Sequence, residues 1–408
     1  MLKFRGTSLP AWIPAVESDV AGRGTQILPV GYLFSKFRII PGAGQADAYK
    51  RLSLTMSGVL PRSREATDGL QPESFDSYQL LKPGQLVFKL IDLQNVSTSR
   101  VGLSGDEGLV SPAYLVVEPS AKVIPRYAYW YFMDLYFRRV FNNLAEDGVR
   151  ASIGWEGLKE FPFPLRPIEQ QARIAQYLDV ETAKIDHLIA KQRELLKLLD
   201  LRNEARWHEA FTGFTPLKTL PLKRLLVKQY RPVVEGAGVV TAFRDGEVTL
   251  RSNRREEGFT FSETEAGYQG VVAGDLVFHG LDGFAGAVGI SDSNGQSTPV
   301  YHVCRLRNDD DNLRFIAYLL RYLGNSGFLA TQAPSVRQRA VDFRNWQTFG
   351  RIPLSLPQGK VQQRIVSELD ESAKALADAR ATIERALGLL QERRSALITA
   401  AVTGQIEV

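Results

Sequence analysis

The sequence predicts an α+β protein written twice, with two similar globular domains separated by two long antiparallel coiled-coil helices in a pseudo-twofold internal repeat. Three observations carry this expectation. Motifs recur in unchanged order at a period of about 190 residues. Each copy opens in a stretch rich in glycine, proline and short β-prone runs. After Pro167 and again after Pro357 the composition changes, and charged residues interleave with leucine, isoleucine and alanine.

Residues 1–166 form the first expected domain. Leu28-Pro29-Val30 is echoed by Leu220-Pro221-Leu222. Tyr78-Gln79 and Pro83-Gly84-Gln85-Leu86-Val87-Phe88 recur as Tyr268-Gln269 and Ala273-Gly274-Asp275-Leu276-Val277-Phe278. Val101-Gly102-Leu103-Ser104 matches Val288-Gly289-Ile290-Ser291, and Ser111-Pro112-Ala113-Tyr114 matches Thr298-Pro299-Val300-Tyr301. Strands are expected over Gln85 to Leu90 and Tyr114 to Val117. An aromatic helical patch, Tyr127 to Phe137, has its counterpart in Phe315 to Leu323.

Residues 167–214 read as the first long helix. Ile174, Leu178, Ile185, Leu188, Leu195 and Leu199 make a seam of alternating four- and three-residue steps, interrupted by Glu181 and Gln192. Residues 215–357 form the second domain and residues 358–408 the second helix. There Ile365, Leu369, Leu376, Ala379, Ile383, Ala386 and Leu390 keep the same phase. Such seams pack knobs into holes on another helix. A rod of ~40 residues is roughly 60 Å long and needs a partner along its length. The order domain, helix, domain, helix lets the two rods pair antiparallel. Two separate domains, each with its own tail helix, is the competing arrangement; the matching seams and lengths favour the pair.

The 408 residues suggest two or three domains, and 44% hydrophobic with 23% charged residues is ordinary for chains that bury cores. A net charge of +5 is compatible with a polyanionic partner without demanding one. Apolar runs such as Leu195-Leu196-Lys197-Leu198-Leu199 are short and broken by charge, so no membrane span is expected. Met1-Leu2-Lys3-Phe4-Arg5 does not begin a signal peptide. The single cysteine, Cys304, excludes an internal disulfide and a cysteine zinc cluster. Together these features predict a cytoplasmic protein.

Certain segments are more specific. The first helix is entered through Pro164-Leu165-Arg166-Pro167-Ile168-Glu169-Gln170-Gln171-Ala172-Arg173-Ile174, and Leu178-Asp179 and Thr182-Ala183-Lys184-Ile185-Asp186 follow. The tail reads Arg393-Arg394-Ser395-Ala396-Leu397-Ile398-Thr399-Ala400-Ala401-Val402-Thr403-Gly404-Gln405-Ile406. These segments resemble the specificity subunit of type I restriction–modification systems, and the resemblance covers essentially the whole chain. Lys360 and Val361 depart from the pair seen at Glu169 and Gln170. The resemblance implies that residues 1–166 and 215–357 are target-recognition domains, each reading one half of a bipartite, asymmetric site in double-stranded DNA. It implies that the helices set the gap and dock two methyltransferase (modification) subunits. Restriction subunits would translocate and cleave the DNA. No cofactor is then expected in this chain, and S-adenosylmethionine, ATP and Mg belong to partner subunits.

The residues themselves offer no rival chemistry. An adenine methyltransferase needs an Asn/Asp-Pro-Pro-aromatic loop, and none occurs. Gly42-Ala43-Gly44-Gln45-Ala46-Asp47 lacks the third glycine of a dinucleotide loop, and Gly283, Gly286 and Gly289 sit where the repeat places a turn. His187, His208, His279 and His302 show no ligand spacing, and Glu181 with Lys184 reads as a helix-surface ion pair. No catalytic or metal site is expected. A coiled-coil scaffold with protein-binding end domains is the alternative function; divergent halves on similar spacers favour an asymmetric DNA site.

DNA recognition needs basic and amide side chains on loops that reach base edges. The first domain offers Arg62, Ser63 and Arg64, and the equivalent place in the second offers Arg251, Ser252, Asn253, Arg254 and Arg255. Arg150, Arg337 and Arg339 form a second candidate set, and Lys89 and His279, after the shared Leu-Val-Phe, a third. A solvated basic turn is the competing reading for each of them.

Overall fold

The computed structural model describes residues 25–42, 44–55, 58–63, 75–91, 100–143, 152–254, 267–332, 336–337 and 340–408. The chain divides into two units, Met1–Gln192 with Glu384–Val408, and Arg193–Ile383.

In the first unit, β1 (Gln26–Pro29) pairs antiparallel with β10 (Pro162–Leu165). A four-stranded sheet has the order β2-β9-β6-β7, from Phe34–Phe37, Leu115–Pro119, Leu86–Phe88 and Val101–Leu103. A second sheet orders β4-β3-β8-β5, from Gly58–Arg62, Arg51–Thr55, Gly108–Val110 and Gln79–Leu81. Helix α1 (Pro125–Phe137) starts with proline at its first position, where the missing N–H costs nothing. It buries Tyr127, Trp130, Tyr131 and Phe132 against Phe34, Phe88 and Phe163, mostly edge to face. The buried hydroxyls of Tyr127 and Tyr131 donate to the carbonyls of Pro164 (2.9 Å) and Pro162 (2.5 Å), so these rings add no unsatisfied polar group.

The second unit repeats the scheme. β11 (Lys218–Pro221) pairs with β22 (Pro353–Leu356). β12 (Leu226–Lys228), β19 (Tyr301–Leu306), β16 (Leu276–His279) and β17 (Val288–Ile290) give the order β12-β19-β16-β17, strand for strand the order of the first unit. Three antiparallel pairs complete it: β13 (Val240–Ala242) with β14 (Val248–Leu250), β15 (Gln269–Val271) with β18 (Gly295–Ser297), and β20 (Val336–Arg337) with β21 (Ala340–Val341). Helix α3 (Leu313–Asn325) is capped by the Asn312 side chain, which accepts from the Phe315 N–H.

Between and after these domains run α2 (Ile168–Thr212) and α4 (Gly359–Thr403), each of 45 residues. Within the first unit they pair antiparallel: Ile174 and Leu178 share a core with Ile398, Ala401 and Val402, and Arg394 donates to Asp186 (2.8 Å). Within the second unit they do so again, with Phe211 against Ile365 and Leu369, Arg206 bonded to Ser372, and Arg380 paired with Asp200.

The seam differs from expectation in the first helix. Ile174, Leu178, Ile185 and Leu199 face inward or partly so, but Leu188 is 49% and Leu195 42% exposed, while Ile189 is buried and Leu196 half-buried. Apolar residues at 188/189 and 195/196 allow two phases, and the polar pair one step before them, Glu181 and Thr182, decides. The Thr182 hydroxyl is buried because it donates to the Leu178 carbonyl (2.6 Å), whereas Glu181 stays outside and pairs with Lys184. A buried, unpaired Glu181 would cost far more. In α4, Ile365, Leu369 and Ile383 are buried and Leu376 and Leu390 half-buried.

Candidate nucleic-acid interface

Each domain is locked to its long helix by the same joint. The fully buried Gln171 accepts from the Ile124 N–H (2.8 Å) and donates to the carbonyls of Lys122 (3.0 Å) and Arg166 (2.8 Å). The fully buried Gln362 accepts from the Asn312 N–H (2.9 Å) and donates to the Asp311 carboxylate (2.8 Å) and the Pro357 carbonyl (2.9 Å). Two turns further, Asp179 accepts from Arg126 (2.7 Å) and Trp130 (2.8 Å), and Asp370 accepts from Arg314 (2.9 Å) and the Tyr318 hydroxyl. These residues orient α1 and α3, and with them the surfaces that each domain presents.

The basic turns lie at equivalent strand ends. Arg62 closes β4, with exposed Ser63 next to it, and Arg251 begins a 3-10 turn, Arg251–Asn253, directly after β14. The charge of each arginine acts on the repeated tyrosine. Burial, then Tyr78, push the pKa of Tyr114 up, and the Arg62 charge opposes them. Burial pushes Tyr301 up to about 12, against the Thr241 hydrogen bond and the Arg251 charge. His279, at the end of β16, packs edge-on against the same Tyr301 at 4.6 Å. Its Nδ1 accepts from the N–H groups of Leu281 (3.1 Å) and Asp282 (3.0 Å), which puts the neutral ring's proton on Nε2 and makes that atom a donor. Burial holds its pKa below the usual histidine range, with Asp282 opposing.

His279 therefore packs on Tyr301, and the Arg251 charge acts on the same hydroxyl. The tyrosines were visible in the sequence as a repeated Pro-x-Tyr but were not among the site candidates. Asn253 donates to the Thr249 hydroxyl (2.9 Å). Arg254 lies over the Phe243 ring at 4.2 Å and pairs with Asp245 (2.5 and 3.0 Å) and Glu247 (3.1 Å). Lys89 follows β6, its N–H bonded to the Arg100 carbonyl. Arg337 is placed by its backbone alone, opposite Ala340. Arg64, Arg150, Arg255 and Arg339 lie outside the described residues.

In the second unit, an open groove of about 660 Å³ runs between the last turns of α2 and the first turns of α4, with Arg206, Glu209, Arg364 and Glu368 around Phe214 and Leu369. Among the described residues no group of three or more His, Cys, Asp or Glu side chains could hold a metal ion, and no helix is long and apolar enough to cross a membrane. The Cys304 thiol is buried, which raises its pKa and keeps it unreactive.

No protein-family model matches the chain, and no curated protein matches it in sequence. Solved structures do. A chain from work on complex assembly and conformational transition of the type I restriction–modification system aligns over 94% of this chain and 99% of its own, at 14% identity and a TM-score of 0.67. The HsdS subunit from Thermoanaerobacter tengcongensis aligns over 94% of this chain and 97% of its own, at 14% identity and a TM-score of 0.53. Doubled domains, doubled helical joints and end-to-end alignment agree: this chain has the fold of an HsdS subunit of the type I restriction–modification systems.

Proposed function

We propose that this chain is the DNA-specificity subunit of a type I restriction–modification complex, each domain reading one half of an asymmetric, bipartite site. One observation carries the reading. Two domains with the same joint to their long helices hold the same tyrosine through the same glutamine bond, Gln79 to Tyr114 and Gln269 to Tyr301, and carry an arginine at the matching strand end, Arg62 and Arg251, on surfaces whose other residues differ. Equal mounting with unequal faces suits an asymmetric double-stranded target, since identical ends would serve a symmetric scaffold equally well. The chain itself carries no catalytic centre in this reading. S-adenosylmethionine, ATP and Mg are held by two methyltransferase subunits and by restriction subunits, all in the cytoplasm.

The long helices supply surface for the methyltransferase subunits. Val180 and Leu188 are exposed on the first unit's part of α2, and Leu195, Leu198 and Leu201 on the second unit's part. A row of exposed apolar residues along one helix is surface that a partner can cover. The test is co-expression with the methyltransferase subunit, methylome sequencing to read the target, and competition binding with duplexes altered in one half-site. Arg62→Ala should relax discrimination at one half and Arg251→Ala at the other, each by about 1–3 kcal/mol. Loss at both halves from either substitution contradicts one reader per domain.

A further inference from the structure

Arg321 sits on α3, in the turn after Tyr318, and most of its side chain is buried. Its guanidinium lies over the Trp207 indole of α2, 5.0 Å from the ring centroid, and its Nε is buried without a hydrogen-bond partner. The other side of Arg321 supports the β13–β14 turn. A Cβ on Gly246 would come within 2.8 Å of Arg321 Cδ and 3.0 Å of Nε, and Gly246 has a φ of +90°. Glycine is thus required there twice over, by backbone conformation and by the close approach. Burial works against the Arg321 charge, and the Asp245 carboxylate, in that same turn, offsets the penalty.

Asp245 is consequently shared. It takes two hydrogen bonds from Arg254 and lies in the field of Arg321, and its own pKa is lowered although burial works the other way. An arginine already paired to a carboxylate meets DNA at a disadvantage. When it turns to a phosphate it leaves behind a negative charge beside a polyanion. A second, largely buried guanidinium packed on the same Asp245–Gly246 turn lessens that disadvantage.

We propose that Arg321 is a positioning residue for the second unit's DNA-reading turn: anchored on Trp207, it compensates Asp245, the carboxylate that takes both of Arg254's hydrogen bonds, and so eases the exchange of that carboxylate for a DNA phosphate. The half-exposed Glu247 partner is screened by solvent. The proposal rests on the DNA-specificity reading above and deepens it. Arg254 is then a phosphate clamp, and Arg251 with Asn253 remain the base-reading candidates of the same turn.

The experiment uses the full complex with its methyltransferase subunits and a duplex carrying the target read from its own methylome. Wild-type complex that shows no preference for that duplex would sink the DNA reading and this proposal together. With preference established, Arg321→Gln should weaken binding about tenfold, with half-site discrimination unchanged because a phosphate contact carries no sequence information. Adding Asp245→Asn to Arg321→Gln should restore most of the affinity, since the uncompensated charge is then gone. A purely structural role predicts no such rescue. Arg321→Lys, which keeps the charge, should stay near wild type. If Arg321→Gln does not fold, Asp245→Asn alone decides: affinity at or above wild type supports the proposal, and a tenfold loss overturns it. Unchanged binding by Arg321→Gln, or a loss that Asp245→Asn leaves in place, overturns it as well.

Discussion

Asp179 in the first unit and Asp370 in the second stand at the same turn of two helices of equal length, and different partners hold them: Arg126 and Trp130 in one, Arg314 and Tyr318 in the other. Gln171 and Gln362, two turns earlier, are the same residue, each accepting one backbone N–H and donating to two oxygens, although one acceptor of Gln362 is the Asp311 carboxylate. Beyond the joint the cores diverge. The first unit ties β10 to α1 through the hydroxyls of Tyr127 and Tyr131, whereas α3 has Phe315 and Leu319 at the equivalent places. The second unit instead stacks His302 on Phe349, itself packed on Phe278. The difference shows how tightly geometry binds each position. A buried site that must serve one backbone donor and two acceptors at once leaves little besides glutamine. A half-exposed carboxylate takes whatever donor faces it, and a core volume can be filled in several ways.

That comparison can be broken most directly at the glutamines. Gln171→Leu would strand the Ile124 N–H and the Lys122 and Arg166 carbonyls, at a cost of about 3 kcal/mol to the first unit. Gln362→Leu should cost the second unit a similar amount. Chemical denaturation of the two variants checks this, and a loss under 1 kcal/mol in either would show that the joints are not equivalent.

Acid should separate the units by a comparable or slightly smaller amount. Burial is the main cause that holds His302 down to about 4 from 6.5, although its bond to the Phe343 carbonyl opposes the shift. As the pH falls, the unfolded chain therefore takes up its proton first. The associated stability is complete above about pH 6.5 and is lost as the pH falls toward 4, by at most about 3 kcal/mol. The first unit has Leu115 at the equivalent position of the repeat. Melting His302→Gln and wild type between pH 4 and 7 should show a flatter profile for the variant; parallel profiles would remove His302 as the cause.

The architecture was legible because order and period survive where identity does not. Tyr78-Gln79 and Tyr268-Gln269 mark the same strand start, and Gln79 and Gln269 each bond the carbonyl of the repeated tyrosine, at Tyr114 and Tyr301. The helix phase was not fully legible, since leucine or isoleucine at 188/189 and 195/196 serves either seam and only the choice between Thr182 and Glu181 settles it. The joint was hidden for a related reason. A glutamine in a first helical turn looks like a solvated residue, and its burial depends on where α1 and α3 begin. Its recurrence at Gln171 and Gln362 was the available signal. Arg254 looked in the sequence like one of several free cations, and only folding of the Asp245–Gly246 turn reveals its carboxylate partners.

The smallest expected effect is at the aspartates, and it tests whether the joint is held by amide geometry or by charge. Both hydrogen bonds to Asp179 end on Oδ1, and both to Asp370 likewise end on Oδ1. An asparagine whose carbonyl oxygen takes that place keeps the geometry and loses only the charge. The side chains are 40% and 35% exposed, so solvent screens the arginine attraction, and each Asp→Asn change should cost about 0.5 kcal/mol, less at high salt. Asp179→Ala goes further, because the indole N–H of the buried Trp130 then loses its acceptor; about 1–2 kcal/mol is expected. Denaturation at low and high salt should therefore rank Asn below Ala, and both below Gln171→Leu. If Asp179→Asn instead matches Gln171→Leu and the gap closes in salt, the ion pair holds the joint. The change of partners between the two units would then be the costly difference, and the shared glutamine the incidental one.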